Sequence, residues 1–379
     1  MIYLDNSATT KPHPDVLKSF NQVATQFFAN PSSIHQLGGK GEQLLMTAKQ
    51  QAAKMLAVSA DEIIFTSGGT EGNNLAVKGV ALQHRERGNH IITTSIEHPS
   101  VFEACHSLEE LGFQVTYLPV NEDGIVSIEA LKEAICDETI LVSIMHVNNE
   151  IGSIQPIEEI GHYLKQFPKI VFHVDDVQGF GKIPLAIRKN HIDLYTISAH
   201  KIHGLKGNGL LYKSSRVKLF PLFHGGEQEG AMRSGTENLA GAVSMTKAMR
   251  LIKEKNNRDV QKLLDLNQLL RHGLIDIQGV EINSPLQAAP HILNVSVPGL
   301  KPEVIIHALG KEGIYISTKS ACSSKHMEES RILKVCGKNK EQASSALRIS
   351  LSYDQTEEDI KTFLHVFKRI VNQFKEMMG

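Results

Sequence analysis

The sequence carries almost no net charge, few cysteines and no long apolar run. Its 379 residues have a formal charge of −1, so the overall charge favours neither nucleic acid nor an anionic membrane as a partner. No apolar stretch approaches the length that spans a bilayer. The N-terminus MIYLDNSATT lacks the basic segment and apolar run of a signal peptide. We therefore expect a cytoplasmic protein with no membrane contact and no direct nucleic-acid binding.

Motifs for metal binding are also missing from the sequence. The four cysteines, Cys105, Cys136, Cys322 and Cys336, form no CxxC pair and fit no zinc framework. The eighteen histidines include no HExxH motif, so we predict no metal site. Disulfides are not expected in a reducing compartment. Because Cys105 and Cys136 lie in helical patterns, we expect both to be structural.

What the sequence does contain is a regular alternation of strand and helix patterns from about residue 60. Nearly continuous apolar runs such as TILVSIMHV (139–147) and KIVFHVD (169–175) are typical of strands covered on both faces. Helical patterns of ten or so residues separate the strands, which predicts βαβ crossovers and a mainly parallel sheet. After residue 236 a long helical segment precedes a shorter series of strands and helices. We therefore predict an α/β protein with a large domain and a smaller α+β C-terminal domain.

Three segments in this alternation have chemical potential. SGGTEGNN (67–74) follows a strand and opens a helix, where free N–H groups suit a phosphate. The alternative is a turn that needs glycine only for its backbone conformation. Asp175 ends a strand, where α/β sheets place ligands, although it could be a helix N-cap. Lys201 follows the next strand and either extends to solvent or acts as an amine that forms a Schiff base. Together and in this order, they fit pyridoxal 5′-phosphate through its phosphate, ring nitrogen and aldehyde.

Eight motifs extend this pattern over nearly the whole chain. They are YLDNSATT (3–10), NPSSIHQLG (30–38), FTSGGTEGNNLAVKG (65–79), EHPSV (97–101), MHVNNEIGSIQPI (145–157), SAHKIHG (198–204), RSGTEN (233–238) and SACSS (320–324). Together they resemble the NifS/IscS-like cysteine desulfurases, fold-type I pyridoxal-phosphate enzymes of the class V aminotransferase family. The resemblance implies a large domain with a mainly parallel seven-stranded sheet at 16–250. It also implies a small C-terminal domain at 251–379, to which residues 1–15 contribute.

The resemblance also implies how the cofactor is bound. Lys201 would hold its aldehyde as a Schiff base, Asp175 would pair with the pyridine nitrogen, and Gln178 would bond the phenolic oxygen. His98 would stack on the ring and assist proton transfer. The phosphate would be held by Gly69 through its backbone, by Thr70, Ser198 and His200, and by Thr236 from the other subunit of a homodimer.

The same resemblance assigns the substrate and the nucleophile. Asn149 and Arg348 would bind the carboxylate of L-cysteine, since a guanidinium grips both oxygens. Cys322 would attack the substrate sulfur. Its surroundings, STKSACSSKHMEES (317–330), are polar and lysine-rich, which suits a loop and favours a thiolate. The expected products are L-alanine and a persulfide on Cys322.

Three positions depart from the family pattern. Asp176 stands where a small residue is common, and strand alternation predicts that it points away from the cofactor. Leu205 replaces a usual proline after the lysine. Lys319 replaces a usual glycine before the cysteine, which could alter the catalytic loop or the choice of acceptor.

The sulfur acceptor and the nearest alternatives complete the predictions. The chain ends at Gly379, soon after the last helical pattern, and in the family a longer tail docks the iron–sulfur scaffold. This favours delivery to a tRNA thiolation enzyme over an iron–sulfur scaffold protein. A selenocysteine lyase is the alternative activity, which the SACSS motif disfavours. A desulfurase-like binding scaffold would have lost the lysine or the cysteine, and both are present.

Overall fold

The structure, a computed structural model, describes residues 1–318 and 329–378. Its strands are β1 (Ile2–Tyr3), β2 (Ile63–Thr66), β3 (His90–Thr94), β4 (Gln114–Leu118), β5 (Thr139–Met145), β6 (Val171–Asp175), β7 (Leu194–Ser198), β8 (Gly209–Lys213), β9 (Glu281–Ile282), β10 (Ile292–Ser296), β11 (Ile314–Tyr315) and β12 (Ala346–Ser350). Its α-helices are α1 (Pro14–Gln26), α2 (Gln36–Leu56), α3 (Gly69–His84), α4 (Pro99–Glu109), α5 (Ile128–Ala134), α6 (Ile157–Leu164), α7 (Leu239–Ile275), α8 (Pro302–Lys311), α9 (Arg331–Val335), α10 (Lys340–Ser344) and α11 (Glu357–Met378).

A seven-stranded sheet forms the centre of the molecule, in the order β2-β8-β7-β6-β5-β3-β4. Every pair from β7 to β4 is parallel, whereas β8 runs antiparallel to both of its neighbours. Strands β5 and β6 are buried along their whole length, because helices cover both faces of the sheet. The prediction of an α/β fold with a mainly parallel sheet of seven strands is confirmed.

The two faces of the sheet are covered by different helices. On one face, α3 and α4 pack through a cluster that includes Leu75, Val101 and Ile91. On the other, α6 and α7 join a larger core that includes Ile160 and Met249. Helix α3 lies across strands β5 to β8, and it begins at Gly69, just beyond the carboxyl end of β2 at Thr66.

The chain ends meet in a second region built on two small sheets. One sheet has the order β12-β10-β9, and the other pairs β1 with β11 in parallel. Helix α7 is 37 residues long and leads from the central sheet to this region. The predicted division of the chain at 250/251 falls inside this helix, and the division stays a prediction.

The structure shows where the two cysteines with helical sequence patterns lie. Cys105 is fully buried in α4, as expected. The prediction that Cys136 lies in a helix was wrong, because α5 ends at Ala134 and Cys136 is exposed. That Cys136 is structural stays a prediction. Among residues 1–318 and 329–378, no helix combines the length and apolarity needed to cross a membrane.

Candidate active site

A cavity of about 230 Å³ opens at the carboxyl ends of β5, β6 and β7, where Met145, Asp175 and Ser198 line its wall. This is the edge at which open α/β sheets bind ligands. The structure brings to this one cavity most of the site residues predicted from the sequence: Gly69, Thr70, His98, Asn149, Asp175, Gln178, Ser198, His200, Lys201 and Arg348.

The start of helix α3 is pressed against the sheet beside this cavity. A Cβ atom on Gly69 would lie 2.8 Å from Val177 Cγ2, and one on Gly72 would lie 2.8 Å from Thr196 Cγ2. Glycine at both positions therefore lets the helix N-terminus approach the strand ends. Ser198 Oγ is buried nearby and finds no hydrogen-bond partner in the part of the chain that the structure describes. Free helix N–H groups and an unsatisfied hydroxyl suit a phosphate.

Asp175 is the buried carboxylate of the site. It is 5% exposed and accepts hydrogen bonds from Asn73 Nδ2 at 2.7 Å and from the Val177 N–H at 3.0 Å. Burial raises the pKa of Asp175 to about 6, although these hydrogen bonds oppose the shift. A protonated ring nitrogen at this carboxylate would keep it ionised.

Lys201 is held over the cavity by the N-terminal segment of the chain. Its Nζ donates to the carbonyl oxygens of Ser7 and Ala8, the latter at 2.8 Å. Gln178 Nε2 donates to the same Ser7 carbonyl at 3.0 Å, while Gln178 Oε1 is buried with no partner within residues 1–318 and 329–378. The amine and the amide thus lie together at the cavity, where an aldehyde and a phenolic oxygen of one ring could meet them.

His98 faces the cavity from the turn that begins helix α4. The Ser100 N–H donates to His98 Nδ1 at 3.1 Å, so the neutral ring carries its proton on Nε2. Burial, and then the positive charges of Lys201 and Arg348, lower the pKa of His98 to about 4. His98 is therefore a neutral imidazole at physiological pH, suited to stacking on a ring and to donating from Nε2.

Arg348 supplies a positive charge to the wall of the cavity. Its side chain is 1% exposed; Nη2 contacts Asp5 Oδ1 at 3.1 Å and Nη1 donates to the Asn149 carbonyl at 2.9 Å. Its Nε is buried and has no hydrogen-bond partner among the described residues. A buried guanidinium with an unused donor beside Asn149 suits a carboxylate.

Two predicted positions, Thr236 and Asp176, lie outside this arrangement. Thr236 is exposed and does not line the cavity. Cys322 and Lys319 fall outside the described residues. Asp176 also lies outside the cavity: it is fully buried, with its carboxylate bonded to His146 Nδ1 at 2.5 Å and to the Tyr195 hydroxyl. Leu205, the third departure from the family pattern, packs partly buried against the main core. In the part of the chain described, no group of three or more metal-ligating side chains was found.

Comparison with known proteins places this arrangement in a family. The aminotransferase class-V family pattern matches residues 2–363. The chain belongs to that family. A NifS/IcsS protein homolog of Lactobacillus delbrueckii subsp. bulgaricus is 45% identical, and the alignment covers 100% of this chain and 99% of the relative. The cysteine desulfurase IscS of Methanosarcina thermophila is 43% identical, with 99% and 93% covered. A solved NifS-like protein has a TM-score of 0.92 and 37% identity, with 98% and 99% covered.

These similarities confirm the resemblance to NifS/IscS-like proteins of the class-V family and the fold that it implied. They also confirm pyridoxal phosphate as the cofactor of this class-V protein. The cavity fits the group, because it offers an unsatisfied buried hydroxyl, a helix N-terminus, a buried carboxylate and a lysine amine.

Sequence reasoning missed several groups that support the site. Asn73 holds Asp175 and Ser100 together, and the Ser7 and Ala8 carbonyls hold Lys201. Glu97 is 1% exposed and burial raises its pKa to about 8. All four lie inside the motifs SGGTEGNN, YLDNSATT and EHPSV, so the motifs contained them, but a motif does not show which of its members touch.

Proposed function

We propose that this class-V protein is a cysteine desulfurase, which takes sulfur from L-cysteine, releases L-alanine and leaves the sulfur as a persulfide on Cys322. The observation that carries the proposal is one cavity that holds a lysine amine, a buried carboxylate and a buried arginine with an unused donor. The name cysteine desulfurase, carried by a relative 43% identical over 99% of this chain, supports it.

Eight residues of the cavity have a part in this reaction. Arg348 and Asn149 bind the substrate carboxylate and fix the position of Cα. Lys201 removes the Cα proton, and His98 assists by donating from Nε2. Pyridoxal phosphate, when bound, supplies a ring that accepts the electrons released at Cα. Its phosphate would be held by the start of α3 at Gly69 and Thr70, together with Ser198 and His200.

The sulfur transfer itself belongs to Cys322. Its thiolate attacks the substrate sulfur and the Cβ–S bond breaks, with the electron pair of that bond staying on Cβ. Cβ then gains a proton and Cα regains the one that Lys201 removed, so that alanine leaves. The new S–S bond is the persulfide, which a second protein or a reductant then removes. The protein works in the cytoplasm and delivers the sulfur to an acceptor protein, either a tRNA thiolation enzyme or an iron–sulfur scaffold. Co-purification with one of the two tests the acceptor.

The proposal includes a homodimer with shared sites. Thr236 is exposed and does not line the cavity of its own chain, which supports a contact with the cofactor phosphate of the other subunit. Phe28 and Ile34, 75% and 107% exposed, supply apolar surface for the contact. Sedimentation measures the oligomeric state. A mixture of Lys201→Ala and Thr236→Ala chains should form some mixed dimers that have one intact site. A monomer with full activity would disprove this part.

Turnover of the purified holoprotein tests the activity. With L-cysteine and a reductant we expect equal amounts of alanine and sulfide, and much less turnover of selenocysteine than a selenocysteine lyase would show. Cys322→Ala should keep the cofactor absorbance but release no sulfide, since no persulfide can form. Lys201→Ala should lose the covalent link to the cofactor, seen by mass spectrometry after borohydride reduction. Normal sulfide release by Cys322→Ala would remove that residue from the mechanism.

A further inference from the structure

An arginine side chain outside the cavity is hydrogen-bonded to the turn that carries His98. Arg331 is the first residue of α9, and its guanidinium donates to the carbonyl oxygens of Ser95 and Glu97, the latter at 2.7 Å. Its Cζ also lies 4.1 Å from the centre of the Phe102 ring on α4. The guanidinium thus binds the residue before His98 and stacks on the residue four positions after it.

The start of α9, from which Arg331 extends, is itself held in place by hydrogen bonds. Ser330 caps α9 by accepting the Leu333 N–H at 3.2 Å. Its hydroxyl also donates to the buried Glu150 carboxylate at 2.7 Å. Glu150 directly follows Asn149 of the cavity wall. Arg331 therefore extends from a helix start that is tied to the central sheet.

The turn is also held from inside the protein. Glu97 Oε1 accepts the Thr94 hydroxyl at 2.7 Å and the Met145 N–H at 3.0 Å. Arg331 closes the outer side of the same turn and does not itself line the cavity. The backbone that carries His98 is thus fixed between the end of β5 and the start of α9.

We propose that Arg331 is a positioning residue that fixes the His98 ring against the bound cofactor through the 95–98 turn. This rests on the proposed function, because it assigns His98 to proton transfer. The planar fork of arginine bonds two carbonyls and stacks on a ring at once, whereas a lysine ammonium cannot reproduce that geometry. Charge alone is therefore insufficient, and Arg331→Lys should behave like Arg331→Met.

A half-reaction that needs no sulfur transfer isolates the effect of Arg331 on proton transfer. In the Cys322→Ala holoenzyme, the Cα proton of L-alanine exchanges with solvent deuterium, and NMR follows the rate. We expect both Arg331 variants to lower the rate constant at saturation about tenfold, since small misplacements of a reacting group are costly. The alanine concentration at half-saturation and the affinity for pyridoxal phosphate should not change. Arg250→Met, which breaks an exposed ion pair with Glu254 on α7, is the matched control.

A double variant shows whether Arg331 acts through His98. His98→Asn keeps a side-chain acceptor for the start of α4 but removes the imidazole. If Arg331 acts through His98, adding Arg331→Lys to His98→Asn should cause no further loss. Multiplied losses, rescue by lysine, or rates equal to the Arg250 control would overturn the proposal. A wild-type protein that exchanges alanine but releases no sulfide from cysteine would instead count against the proposed function alone.

Discussion

At the residue scale, Asp175 serves the candidate site but lowers the folding stability of the protein. Its carboxylate is almost fully buried and has two hydrogen bonds but no cation within ion-pair distance among the described residues. Burial raises its pKa to about 6 from an ordinary value of 3.8. Between those values the folded protein binds the proton more tightly than the unfolded chain, so this group costs folding stability increasingly as pH rises, and the full cost applies above pH 6.

We therefore predict that Asp175→Asn stabilises the cofactor-free protein at pH 7.5. The cost removed is about 2–3 kcal/mol, and a net gain of about 1–2 kcal/mol is expected after imperfect hydrogen bonding. Asn73 Oδ1, which is buried and has no partner among the residues described, can accept from the new amide. Urea unfolding should show this gain at pH 7.5 and none at pH 4, while cofactor affinity falls. The exposed Asp123→Asn is the control, and a destabilised Asp175→Asn at pH 7.5 would contradict the argument.

At the scale of the element, the position of helix α3 depends on the absence of side chains facing β7. Gly72 is buried in α3, and a Cβ there would lie 2.8 Å from Thr196 Cγ2. Because the start of this helix approaches the predicted phosphate position, any shift of α3 away from the sheet also weakens that contact. Packing and cofactor binding are therefore coupled through one helix.

We predict that Gly72→Ala destabilises the protein by about 1–2 kcal/mol, since overpacking outweighs the gain in helix propensity. The affinity for pyridoxal phosphate should fall with it. Thr196→Ser removes the clashing methyl but keeps the hydroxyl that bonds His173 Nε2 at 3.0 Å, so the double variant should recover both properties. Gly39→Ala in α2, where a Cβ meets nothing within 4 Å, should stabilise by up to about 1 kcal/mol. Failure of Thr196→Ser to rescue would place the strain elsewhere.

The elements also show what the sequence could predict. The spacing and length of the apolar runs predicted the long strands and helices. The predicted strand ends in turn pointed to Asp175 and Lys201. Strands β1 and β11 are two residues each, too short for a pattern, and β8 is antiparallel because the chain turns back after Lys201. The contacts Asn73–Asp175 and Ser7–Lys201 join positions 102 and 194 residues apart, so only tertiary packing decides them.

At the scale of the molecule, the N-terminal segment connects the small sheets to the cavity. Strand β1 pairs with β11, and Asn6 Nδ2 then donates to the Ser350 carbonyl at 3.0 Å. Further on, Thr10 Oγ1 donates to the His200 carbonyl at 2.9 Å, beside Lys201. The backbone that holds the lysine amine is thus anchored on the strand that carries Arg348, so the cofactor and substrate ends of the site share one support.

Buried histidines set how the whole molecule responds to acid. Burial lowers the pKa of His173 to about 3, and burial also lowers those of His98 and His200 to about 4. The unfolded chain takes up protons on these rings below about pH 6.5, whereas the folded protein does not until pH 3 to 4. Stability from these groups is therefore complete above pH 6.5 and is lost as pH falls through that window. Asp175 and Glu97, with raised pKa values, act in the opposite direction.

We predict that His173→Gln makes the cofactor-free protein less sensitive to acid. The ring of His173 is fully buried between Ser143 Oγ at 2.8 Å and Thr196 Oγ1 at 3.0 Å, and a glutamine amide can serve both hydroxyls without titrating. Wild type should lose about 2–3 kcal/mol more than the variant between pH 7 and pH 4.5, because two pKa units of unfavourable protonation are removed. Urea unfolding at the two pH values measures the difference, with the exposed His307→Gln as control. Equal losses in wild type and His173→Gln would show that acid unfolds the protein through other groups.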